Sequence, residues 1–240
     1  MILNLIIYLR YTRSPLYSFL FTLPLFIIYE IGLLVSTSED LSYLRNGADA
    51  LMRKMLSVFG IAGLFWIGGV FLFGFLIIYF FQKYSWDEYD IKSRYFISMV
   101  LESMIWSYIL FIFMSNMHIL LMATNGYRII QNVTLAIGAG IYEEILFRVI
   151  LIFLFNYIFA LVFQWKNYLK IGISIVFASV FFSLFHFIGE FGDYFSFNIF
   201  MIRFLAGIAL GILYCFRGFG ITAWTHSLYD LIVLTRITTQ

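Results

Sequence analysis

Residues 129–163 read I-I-Q-N-V-T-L-A-I-G-A-G-I-Y-E-E-I-L-F-R-V-I-L-I-F-L-F-N-Y-I-F-A-L-V-F, and this stretch decides the fold. As α-helix it would run about 52 Å, against roughly 30 Å of bilayer hydrocarbon. Yet Glu143 and Glu144 stand side by side within it, and Arg148 follows four residues after the second. Carboxylates at membrane depth are costly, so an adjacent pair there marks a functional site. On an α-helix Glu144 and Arg148 share a face and can pair, whereas Glu143 points about 100° away from its neighbour. One carboxylate can then be structural and the other left for chemistry. The segment must project, tilt steeply or break near Gly138 and Gly140; one long helix is the expectation.

The rest of the chain is of the same kind. Of 240 residues, 63% are hydrophobic and 12% charged, and the mean hydropathy is +0.96. Such a composition excludes a soluble domain and predicts an all-α, polytopic integral membrane protein whose first partner is the lipid bilayer. A net charge of +2 without a basic run argues against nucleic acid as a partner. Cys215 is the lone cysteine, which excludes intrachain disulfides and thiolate metal clusters; it is expected to serve packing. The abundance of Phe and Tyr suits lipid-facing and interfacial positions. A cleavable leader is not expected, because Arg10 and Arg13 follow the apolar start and no small-residue cleavage site comes after them.

Apolar runs at 17–35, 56–81, 95–122, 129–163, 171–188, 195–216 and 219–234 predict seven transmembrane helices. Between the first two, Leu41, Leu44, Ala48, Leu51, Met52 and Met55 recur at helical spacing, with Glu39, Asp40, Arg45, Asp49, Arg53 and Lys54 between them. This is the pattern of an amphipathic helix on the membrane surface. Basic residues beside the spans favour a cytoplasmic N-terminus and an external C-terminus: Arg10, Arg13, Lys83, Lys92, Arg94, Lys166, Lys170 and Arg217 inside, against Arg45, Arg53, Lys54, Arg128, Arg203 and Arg236. With no internal repeat or linker, residues 1–240 read as one domain: a catalytic core over 129–234 and accessory spans over 1–122.

Two further constellations follow the glutamates. In F-F-S-L-F-H-F, Phe182 and His186 are four apart at the end of the fifth span; in W-T-H-S-L-Y-D, His226 and Asp230 are four apart in the last. Each pair shares a helix face. Where the three helices converge they would form a polar cluster holding two of the chain's three histidines. Such a set can hydrolyse an amide: a glutamate as general base towards water, with imidazoles and Asp230 orienting the water or holding the oxyanion. Alternatively, Glu143, His186 and His226 could be three ligands of a zinc ion with an open fourth position. H-E-x-x-H is absent. Counting residues from the cytoplasmic side sets His226 about 10 Å deep and His186 beyond about 20 Å. For both to meet Glu143, the fifth span must start lower or bend at its end.

The order E-E-x-x-x-R, F-x-x-x-H, H-x-x-x-D on successive apolar spans resembles the CPBP (Abi) family of intramembrane proteases, which includes the type II CAAX prenyl endopeptidases. F-L-A-G-I-A-L-G-I-L-Y between the last two motifs is similar to the family's small-residue span, and the resemblance covers roughly 129–234. The resemblance implies that Glu143 activates water, that Glu144 and Arg148 support it, that His186 joins the catalytic centre, and that His226 and Asp230 stabilise the oxyanion. It further implies a membrane-associated peptide or protein substrate and no cofactor, with zinc as the alternative. A prenylated C-terminus or a bacterial leader or sorting-signal protein would fit, the latter preferred in a prokaryotic cytoplasmic membrane.

Two other classes of function are compatible with the same residues. One is a self-immunity or scaffolding protein with a structural polar cluster; the other is a small transporter relaying protons through intramembrane Glu and His, disfavoured by the lack of repeat symmetry. Among the remaining polar residues, Glu30 is expected to line the same cavity and Glu102 to be solvated near an interface. Arg203 is expected to snorkel outwards, and His118 to be structural.

Overall fold

In hydrocarbon every backbone N–H and C=O has to be satisfied within its own segment, so the apolar runs must be helices. The computed structural model of the protein describes residues 2–36, 47–58, 69, 73–74, 91–115, 129–163, 166–189 and 192–237. Among the described residues there is no strand. The elements are α1 (Ile2–Thr12), α2 (Pro15–Val35), α3 (Gly47–Val58), α4 (Ser93–Ser115), α5 (129–163), α6 (Asn167–Phe185), α7 (Phe197–Arg217) and α8 (Phe219–Ile237). Local signals set several ends. Ser14 accepts a hydrogen bond from the Tyr17 N–H at 3.3 Å and Pro15 opens α2. Gly218, at φ +81°, makes the one-residue turn between α7 and α8.

Five helices, α2, α4, α5, α6 and α7, are long and apolar enough to cross a bilayer, which marks the chain as an integral membrane protein. The expected count of seven is not met among the described residues. The run at 56–81 lies almost wholly outside them, as does His118. The last run does form a 19-residue helix, α8, but Thr, His, Ser and Asp through its middle keep it out of the five. Its position accounts for that composition. α8 is packed against α2, α4, α5 and α7, and Thr222, Thr225, His226 and Ser227 are buried against protein.

α5 is continuous, as expected, but it is not α-helical throughout. Ile129–Gly138 and Ile152–Phe163 are α-helix, and Ala139–Leu151 between them is π-helix. Neither Gly138 nor Gly140 breaks the chain; Gly138 keeps helical angles where the change begins. Rings closed i→i+5 hold more residues per turn, so Glu143 and Glu144 diverge by less than the α-helical angle assumed from the sequence. All three motif residues of this helix lie in the π stretch.

Small residues let the backbones approach. A Cβ on Gly140 would run into Ser227 Oγ and come within 2.6 Å of the Ala223 carbonyl, one on Gly138 within 2.6 Å of Tyr29, and one on Gly220 within 2.8 Å of the Ser18 backbone. α8 is thereby seated between α2 and α5. Trp224 completes the seat, stacking on Phe21 at 5.1 Å and donating to the Phe21 carbonyl.

Two expectations about charged residues are corrected. α3 forms over the described part of the amphipathic segment, with Ala48, Leu51 and Met52 on the core. Asp49, assigned to the polar face, instead turns inwards, fully buried, and accepts from Tyr29 Oη at 2.9 Å and Arg53 Nε at 2.8 Å. Glu102 is not simply solvated. It pairs with Arg217, accepts from Tyr8 Oη at 2.7 Å, and so ties α4 to α1 and α7. Arg217 also donates to Thr12 Oγ1 at 2.9 Å. The guanidinium and carboxylate neutralise one another where burial by the protein would make either alone costly.

The glycine seat can be tested directly. Gly140→Ala is expected to cost about 1–3 kcal/mol by forcing α5 and α8 apart. A Cβ on Gly172 meets nothing within 4 Å, so Gly172→Ala should be neutral or stabilise by up to about 1 kcal/mol. Reversible unfolding of both variants in detergent measures the contrast.

Candidate active site

The cluster is built from three helices: the π stretch of α5 supplies Glu143, Glu144 and Arg148, the end of α6 supplies His186, and the middle of α8 supplies His226 and Asp230. All six predicted residues come together. Glu144 Oε1 lies 2.9 Å from Arg148 Nη1 and 2.7 Å from His226 Nδ1. His186 Nε2 stands 3.9 Å from Glu143 Oε2, and His226 Nε2 stands 3.6 Å from Asp230 Oδ2. The depth conflict between the two histidines does not arise. α6 begins at Asn167, four residues before the expected start, and His186 caps its C-terminal end.

The cluster is graded from floor to mouth. Glu144 and Arg148 are sealed, and Glu143 and His226 nearly so. The side chains of His186 and Asp230 are 24% and 26% exposed. The two glutamates therefore occupy different places. Glu144 is committed to Arg148 and His226 at the floor, while Glu143 faces His186 on the accessible side.

The hydrogen bonds fix the imidazoles. A carbonyl can only accept, so the 2.8 Å contact of His186 Nδ1 with the Phe182 carbonyl places a proton on Nδ1 and turns Nε2 towards Glu143. Glu144 Oε1 likewise accepts from the Nδ1–H of His226, which aims its Nε2 towards Asp230. Phe182 has more to do than the spacing suggested. The Arg148 guanidinium lies 4.3 Å from its ring centroid, and its edge meets His186 at 5.0 Å and His226 at 6.2 Å. One aromatic ring thus packs against the buried cation and both imidazoles.

Other residues stand outside the six. Glu30 is half-buried on α2. Cys215 packs among apolar neighbours, as expected. Arg203, expected to snorkel outwards, reaches from α7 to Asp193 at 2.5 Å in the loop between α6 and α7. Asp193 was not singled out from the sequence, and no spacing signal marks it. No three His, Cys, Asp or Glu side chains among the described residues are grouped as metal ligands, the set of Glu143, His186 and His226 included.

Paired glutamates, two oriented imidazoles and a helical membrane scaffold are the arrangement that the sequence resemblance to membrane-embedded proteases leads one to expect. Residues 125–232, somewhat under half of the chain, match the family described as type II CAAX prenyl endopeptidase Rce1-like, and the match takes in all six clustered residues. The resemblance to the CPBP proteases is thereby borne out. No curated protein and no solved structure matches the chain.

Removing the buried cation is the sharpest structural test of the floor. Arg148→Met leaves Glu144 without its counter-charge and is expected to cost about 3–5 kcal/mol. Combined with Glu144→Gln the loss should fall short of the sum of the two single losses by about 1–3 kcal/mol. A double-mutant cycle by detergent unfolding reads the coupling.

Proposed function

We propose that the chain is an intramembrane endopeptidase that hydrolyses a peptide bond of a membrane-associated protein or peptide, using water activated by Glu143. The observation that carries this reading is the facing pair of Glu143 and His186. At 3.9 Å they are too far apart for a direct hydrogen bond and well placed to share one water between them.

In this mechanism Glu143 takes a proton from the water, the oxygen adds to the scissile carbonyl, and the carbonyl electrons move to the oxyanion. His226 acts with both nitrogens protonated. Nδ1–H is held by Glu144, and Nε2–H is offered to the oxyanion, with Asp230 balancing the charge that the imidazolium already carries. The proton on Glu143 then passes to the leaving amine as the C–N bond breaks, which restores the carboxylate. His186 orients the water through Nε2. Glu144 and Arg148 do not touch the reacting atoms; they hold His226. The water is activated here without a metal. The substrate is a peptide presented from the membrane, either a CAAX-type C-terminus or a bacterial leader or sorting-signal protein, and the enzyme works in a prokaryotic cytoplasmic membrane.

The test is cleavage of a membrane-peptide library by purified protein in detergent, read by mass spectrometry. Glu143→Gln is expected to lower cleavage by about 10²- to 10⁴-fold with its thermal unfolding unchanged. His226→Phe should lower it by about 10²- to 10³-fold, and chelator should change nothing. Wild-type cleavage that persists in Glu143→Gln would overturn the water-activating role. A Glu143→Gln protein that still performs its cellular task would replace the protease with a binding protein.

A further inference from the structure

Arg203 is a charged group at the mouth of the site to which the hydrolytic mechanism gives no task. Its place on α7 is fixed by the packing of α7 on α6. Ser183 Oγ donates to the Phe200 carbonyl at 2.7 Å, and a Cβ on Gly207 would come within 3.2 Å of Phe182. Arg203 lies between Phe200 and Gly207 on that same face, level with the turn of α6 that leads into His186. Its side chain is 16% exposed, on the accessible side with His186 and Asp230. Its charge acts on both of them.

The two ends of the guanidinium are used differently. Nη2 donates to Asp193 Oδ2 at 2.5 Å, and the group lies 5.5 Å from the Phe187 ring centroid. The Asp193 N–H in turn donates to the His186 carbonyl at 2.9 Å, so this end ties down the loop that leaves the catalytic histidine. Nη1, by contrast, is buried and has no hydrogen-bond partner. An enclosed guanidinium N–H without an acceptor is costly, and such groups call for an explanation.

We propose that Arg203 is a substrate-recognition residue whose Nη1 edge takes a carboxylate of the bound peptide, while Asp193 holds the other edge and competes for the charge in the free protein. A guanidinium fork can serve two carboxylates at once. That the ligand is a peptide rests on the protease reading; that it carries a carboxylate rests on the arginine. The carboxylate is either the terminal α-carboxylate or an acidic side chain close to the cleaved bond. Among the described residues, the charged and titratable groups around the position are Asp193, Asp230 and His186. Asp230 is turned to His226, so the charge left for an incoming anion is set mainly by how far Arg203 outweighs Asp193.

The experiment is equilibrium dialysis of the detergent-solubilised protein, in the Glu143→Gln background to prevent turnover, against three sets of labelled hydrophobic tetrapeptides. One set has free C-termini, one is amidated and neutral, and one is amidated with an internal glutamate. Retention of carboxylate peptides at least about tenfold above neutral amides is expected. That preference should vanish in Arg203→Gln and be partly kept in Arg203→Lys. Whichever acidic set is retained identifies the source of the carboxylate. Asp193→Asn supplies the decisive sign, because it keeps Arg203 while removing its competitor. It should raise carboxylate retention several-fold, whereas a mere loop tie predicts an equal fall for all three sets. Equal retention of carboxylate and amide, no retention of any carboxylate peptide, a preference that survives Arg203→Gln in folded protein, or an equal fall in Asp193→Asn would each overturn the proposal. The readout is binding, so a protein that cleaves through Glu143 and ignores carboxylates fails this test alone.

Discussion

Glu144 has no exposed surface, and a carboxylate in that position has to be met by positive charge or hydrogen-bond donors from the protein itself. It is met from two directions at one oxygen, by Arg148 from its own helix and by His226 from α8. Much of the architecture follows from that requirement. α8 must pass through the middle of the bundle, so its polar residues are shielded from lipid by α2, α4, α5 and α7. Gly140 must be without a side chain for α8 to come close enough. The histidine that completes the charge arrangement is also the one proposed to face a reacting carbonyl, so the contact that makes the burial tolerable also fixes the direction of that imidazole.

The gradient of exposure separates tasks that the sequence places side by side. Glu143 and Glu144 are neighbours in the chain, yet one closes the floor and the other looks towards the mouth. Phe182 packs along the gradient, against Arg148, His226 and His186. The apolar ring holds the floor cation and both imidazoles in register without adding a titratable group of its own.

What could be read in advance was what depended on short spacing. The Glu144–Arg148 pair and the shared faces of Phe182 with His186 and of His226 with Asp230 are relations within one turn, and the resemblance to a protease family was carried by those same spacings. What escaped notice depended on partners far along the chain. Asp49 looked like a surface residue because Tyr29, which donates to it, lies on another helix. Glu102 and Arg217 are 115 residues apart, and Asp193, which holds Arg203, carries no spacing signal. The π stretch was invisible for a different reason: apolar residues fill nearly every position around its three charged ones, which leaves no hydrophobic period from which to tell one helical pitch from another. α8 was assigned to the membrane for its apolar residues, whereas its polar ones decide where in the bundle it sits.

The π stretch gives α5 a kind of slack. Each of its rings encloses one residue more than an α-helical ring, and the α-helical flanks at Ile129–Gly138 and Ile152–Phe163 keep their own packing on either side. Loss of a single residue between them would let a turn revert to ordinary pitch, leaving both flanks seated while the acidic pair swung round the axis. Chain length in this segment thus acts as a dial for the direction of the carboxylates, set separately from the surfaces that hold the helix in its bundle.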